Sequence, residues 1–143
     1  MARDACATIE TVRASIWKTG KRPPPWMDKL VDDVCKEMGV EWMRPELAVT
    51  KVACDTTFGG RWFAGHNGIG VILHPSKTIN YGVTIHELGH FARWAFGGDA
   101  PGEHDEEFYA LVERLYPLWG VSFETAMTIE HAPPRRWREK RLW

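Results

Sequence analysis

The chain has 143 residues, 44% of them hydrophobic, and a formal net charge of −1, which suits one compact domain with a single core. So even a charge gives no global pointer to nucleic acid or a membrane surface. No run approaches the roughly 18 apolar residues of a membrane span, and Met1 to Cys6 lead into charged residues instead of an apolar signal core. A soluble cytoplasmic protein is expected, of bacterial origin or acting in the host cytoplasm if phage-encoded.

Cys6, Cys35 and Cys54 are odd in number and far apart, a pattern that excludes a disulfide framework or zinc ribbon and fits reduced, buried thiols. The eight tryptophans are expected as bulky core and interface anchors.

Ile9, Val12, Ile16 and Trp17 lie at near-helical spacing between Asp4 and Lys18, and the Gly20 to Pro25 segment stops that helix. Trp26, Leu30, Val34 and Met38 recur every four residues, predicting a second helix that ends at Gly39. Leu47, Val49 and Val52 suggest a strand. Arg61–Gly65 and Ile69–Leu73 then suggest a hairpin around Asn67-Gly68. A helix from about Ser76 or Asn80 to Phe96 follows, with Ile79, Val83, Leu88, Phe91 and Ala95 buried and Gly97-Gly98 closing it. Phe108, Leu111, Val112 and Leu115 mark another helix that stops before Pro117, and a short one is expected over Ser122–Ile129. These elements predict an α+β fold with a small sheet packed against helices. Residues 1–132 form the domain, and 133–143 form a basic C-terminal tail.

His86-Glu87-Leu88-Gly89-His90 has the H-E-x-x-H spacing. Residues four apart on an α-helix differ by only about 40° around its axis, so both imidazoles can reach one ion. The plainer alternative is a pair of histidines on a solvated helix face, but the motif has apolar neighbours and candidate ligands close downstream. Two neutral imidazoles on zinc need a third protein ligand, and a catalytic site leaves the fourth position to water. His104 is the expected third ligand, because the glycine loop between the two helices lets the chain reverse; Glu107 is the leading substitute. Glu87, beside the first ligand, stands where a general base would take a proton from the metal-activated water. One Zn²⁺ is expected, although the donor set would accept other divalent ions.

Glu103, Asp105, Glu106 and Glu107 read as solvated charges at a helix N-terminus, and one of them could orient a ligand histidine through its second N–H. His66, His74 and His131 lack the helical geometry of the central pair and are assigned surface or structural roles. Tyr81, Tyr109 and Tyr116 are candidate oxyanion donors with core packing as their default.

From Gly59 to Pro117, the Gly-rich turn, the strand Gly70-Val71-Ile72-Leu73-His74-Pro75, the H-E-x-x-H helix and Gly102-Glu103-His104-Asp105-Glu106-Glu107-Phe108 resemble the SprT-like metallopeptidases. The resemblance implies a zincin-like, minimal gluzincin-type domain and a zinc peptidase acting on protein or peptide substrates. It departs at Asp105, where glycine commonly follows the third histidine. Members of that family are associated with DNA-linked proteins, and Arg135-Arg136-Trp137-Arg138-Glu139-Lys140-Arg141 could supply phosphate contacts with an aromatic stacker; a solvated tail is the plainer reading. Glu107-Phe108-Tyr109-Ala110-Leu111 and Leu115-Tyr116-Pro117 are more weakly similar to the ImmA/IrrE-like peptidases, in which Glu107 would bind zinc. The competing function is a non-catalytic, zinc-stabilised module that binds protein or DNA.

Overall fold

A computed structural model describes residues 23–41, 44–50, 59–63, 68–72, 77–96 and 104–143. The helix expected over residues 4–18 and the turn residues 64–67 lie outside them.

Helix α1, Pro25–Met38, opens with a proline in its first turn, where the missing N–H has no intrahelical partner to lose. It buries Met27, Leu30, Val31, Val34 and Met38 along one stripe. Gly39 ends it at φ 69°, a left-handed conformation in which a Cβ is disfavoured.

Three five-residue strands follow: β1 Glu46–Thr50, β2 Gly59–Phe63 and β3 Gly68–Ile72. Their order is β1-β3-β2. The β1–β3 pair is parallel, with Glu46 opposite Gly68, and the β2–β3 pair is antiparallel, with Phe63 opposite Gly68.

Helix α2, Lys77–Ala95, carries the H-E-x-x-H motif. Helix α3 spans Glu106–Leu115 and runs into a 3-10 turn at Tyr116–Trp119; α4 is Phe123–Ile129 and α5 is Arg135–Glu139. Ser122 caps α4 by accepting the Thr125 N–H at 3.1 Å. α2 is the central element, with α1, α3, α4, β2 and β3 all packed against it. Its Gly89 faces α3 at close range: a Cβ there would stand 2.6 Å from Val112 Cγ1 and 2.9 Å from Phe108 Cε1.

The expected α+β, zincin-like architecture is overturned, because the described residues are mostly helical. Among the described residues, the buried apolar core lies on helices or directly beside them, from Leu30 and Val31 through Ile85, Leu88 and Phe91 to Phe108, Val112, Leu115 and Trp137. The physical reason lies in the helices: α1 and α3 each bury an apolar stripe, from Met27 to Met38 and from Phe108 to Leu115, and α2 adds Val83, Ile85, Leu88 and Phe91, whereas each strand is only five residues long.

Residues 133–143, expected as a basic tail, pack onto this helical core. Trp137 is 1% exposed and its indole N–H donates to Glu113. Trp143 stacks on Tyr116 with ring centroids 5.8 Å apart, and its Nε1–H donates to the Val121 carbonyl at 2.8 Å. Arg136 pairs with Glu106 and Glu113, Arg135 with Glu139, and Arg141 with Glu124. No helix among the described residues is long and apolar enough to cross a membrane.

Candidate metal centre

His86 and His90 stand one turn apart on α2, and His104 lies just before α3. The fold brings the three together, with one ligand atom from each lying within 4.8 Å of the others. His104 Nε2 is 3.1 Å from His90 Nε2 and 3.1 Å from His86 Nε2. Tetrahedral ligands at 2.0–2.1 Å from a zinc ion are about 3.3–3.4 Å apart, so the two separations from His104 are close to those of ligands sharing one ion. His90 is 5% exposed and His104 is exposed, so the cluster opens to solvent on the His104 side.

Phe108 forms the floor. Its ring stacks on His90 at 4.3 Å and 22°, and meets His86 and His104 at 5.1 and 5.0 Å. Its place on α3 is set by Asp105, which caps that helix by accepting the Phe108 N–H at 2.9 Å. Asp105 also receives Arg93 of α2 through Nε at 3.2 Å and a terminal N–H at 2.9 Å. The charges around His104 therefore differ from a uniform solvated cluster: Asp105 is a cap and interhelical clamp, and Arg93 holds its carboxyl below the ordinary range. Glu107 is exposed and pairs with Arg93 at 3.2 Å, outside the histidine cluster.

Glu87 is 5% exposed, with Oε1 3.8 Å from His86 Nε2. On the far side of His86, Nδ1 lies 2.7 Å from Glu130 Oε1, within hydrogen-bond distance. The same oxygen accepts the Tyr116 hydroxyl at 2.6 Å. Sequence inspection expects an orienting carboxylate between residues 103 and 107 and misses Glu130, which is separated from His86 by 44 positions and has no periodic signal. Of the candidate oxyanion donors, Tyr116 is fully buried against Glu130, Tyr109 donates to the Ala132 carbonyl at 2.9 Å, and Tyr81 packs edge-on between Trp26 and Trp119. His131 is exposed; His66 and His74 lie outside the described residues.

Burial works to lower the His86 pKa, but the hydrogen bond and charge of Glu130, with Glu87 behind them, outweigh it and raise the value. His90 is pushed down to about 2 by burial and by the neighbouring His86 and His104. Burial and His86 also lower His104. His90 and His104 are thus held neutral, the form that offers a lone pair to a metal.

No protein-family model matches the chain, and neither a curated protein nor a solved structure is found to be similar to it.

Proposed function

We propose that the protein is a zinc-dependent metallopeptidase, with His86, His90 and His104 as ligands and Glu87 as general base. One observation carries this reading: His86, His90 and His104 bring one ligand atom each within 4.8 Å of the others, with His104 Nε2 3.1 Å from both partners, beside a buried carboxylate that is not one of them.

Zinc in this setting would acidify a bound water and polarise the scissile carbonyl. The chain's own groups do the rest. Glu87 takes the proton from the attacking water and passes it to the leaving amine. His90 and His104, held neutral, keep their lone pairs directed at the centre. Phe108 excludes water from beneath, and the exposed His104 side admits a protein or peptide segment. Kinship with SprT-like peptidases is proposed on the H-E-x-x-H helix and the His104-to-Phe108 segment, and an intracellular setting accords with the buried free thiol of Cys35. Contact with DNA through residues 135–141 is less well supported, since Arg135, Arg136 and Arg141 each face a carboxylate.

The test pairs metal analysis with proteolysis of an unfolded protein such as casein. About one zinc per chain is expected in the parent and in Glu87→Gln, with cleavage in the parent alone. Zinc without cleavage in the parent would favour the non-catalytic binding module. Full cleavage by Glu87→Gln would remove the general base from the proposal.

A further inference from the structure

A neutral imidazole carries one N–H and one lone pair, so the partner of one nitrogen decides which role the other can play. For His86 to present a lone pair from Nε2, its proton must sit on Nδ1 and have an acceptor there. Glu130 Oε1 lies 2.7 Å from that nitrogen. This carboxylate is 3% exposed and ends helix α4, with its own backbone N–H bonded to the Ala126 carbonyl.

Burying a carboxylate is costly unless its oxygens are well partnered. Glu130 is not arranged for its own satisfaction. The His86 N–H and the Tyr116 hydroxyl both converge on Oε1, while Oε2 has no hydrogen bond among the described residues. Tyr116 is itself fully buried and held by Trp143 stacked on its ring, so the Oε1 atom is held by a second buried group besides His86. His90 provides the contrast. Its Nδ1 is buried without a hydrogen bond among the described residues, and its ring is oriented by stacking on Phe108.

We infer that Glu130 is the positioning residue of the metal centre: with Tyr116 as its anchor, it fixes the tautomer and direction of His86 so that Nε2 offers its lone pair beside His104. This rests on the metal-centre reading above. Outer-shell partners of this kind typically change metal affinity by about 10- to 100-fold when removed.

The experiment has two readouts. The first is the imidazole NMR spectrum of the metal-free, nitrogen-15-labelled protein, with His86→Gln used for assignment. A hydrogen-bonded Nδ1–H from His86 is expected, lost in Glu130→Ala; a neutral His86 ring with its single proton on Nε2 overturns the inference. The second is zinc affinity measured by competition with a chromophoric chelator. Glu130→Ala is expected to weaken zinc binding about 10- to 100-fold, and Glu130→Gln, whose amide oxygen still accepts the Nδ1–H, to recover part of the loss. If Glu130→Ala does not fold, Glu130→Gln decides: a loss smaller than about tenfold supports hydrogen-bond acceptance as the role, whereas a larger loss overturns it. Affinity within twofold of the parent in a folded Glu130→Ala also overturns it. A parent that binds no zinc defeats the metal-centre reading, and the metal-free spectrum then still judges Glu130 as the group that orients His86.

Discussion

Arg93 on α2 grips Asp105, the N-cap of α3, through two N–H···O bonds of 3.2 and 2.9 Å. The clamp joins the helix bearing His86 and His90 to the residue next to His104, so the relative position of the ligands depends on a contact outside the cluster. Asp105→Ala removes both the cap and the clamp. Loss of the cap alone costs about 1 kcal/mol, and zinc affinity is expected to fall as well, because His104 loses its neighbouring anchor. Arg93→Ala should weaken zinc binding while leaving the cap in place. Chelator competition beside urea denaturation of the metal-free protein separates the two effects.

Gly89, the second variable position of the motif, sets how closely α3 approaches. Gly89→Ala puts a methyl group against Val112 and Phe108, and overpacking of this kind costs about 1–3 kcal/mol. Because Phe108 underlies all three imidazoles, the same substitution should lower zinc affinity. Gly82→Ala on the same helix meets the tip of the Ile129 side chain first, which can rotate away, so a smaller loss is expected. Thermal melts of the two variants, with and without zinc, check the ranking.

The metal-free protein should lose stability as the solution is acidified. His90 has a folded pKa lowered from 6.5 to about 2, so between those values the unfolded chain holds a proton that the folded chain does not. Stability is fullest above the unfolded value and falls as pH drops through that window, by at most about 1.4 kcal/mol per pH unit for one such proton. His86, whose pKa is raised, acts in the opposite sense: its contribution is present below the unfolded value and is lost as pH rises through the folded one. Denaturation from pH 7 to 4 should show a shallower slope in His90→Gln than in the parent, and a parent curve flat across that range would refute the assignment.

Trp137 is 1% exposed within residues that read as a solvated basic tail. Trp137→Ala should destabilise the protein by about 3–5 kcal/mol, as truncations of buried aromatics do. A change under 0.5 kcal/mol in chemical denaturation would mean that the segment does not pack in solution.

The parts legible in the sequence were those with local signals. The i, i+4 spacing brings His86 and His90 to one face, the four-residue recurrence marks α1 almost to its ends, and Gly39 marks its stop. His104 was reachable because a glycine loop and a new helical stripe follow the motif. Glu130 was not, since it comes to His86 through the packing of α4 on α2. Asp105 and Glu107 look alike as acidic residues at a helix start, yet one caps the helix while the other faces outward to Arg93. The architecture was misjudged because three β-like runs were given a weight equal to the helices, whereas the strands are five residues each and the described residues are mostly helical. Trp137 and Trp143 were hidden among arginines, whose ion pairs let the segment lie against the body of the protein.

That C-terminal segment bears on the order of events during synthesis. His86, His90, His104 and Glu130 all leave the ribosome before Trp137 and Trp143, the rings that pack around Tyr116 behind Glu130. A nascent chain can thus display every donor while the support for Tyr116 is still untranslated. Glu130 is thus backed by rings that follow it in the chain, and the proposed metal centre would tighten only once Trp137 and Trp143 have docked around Tyr116.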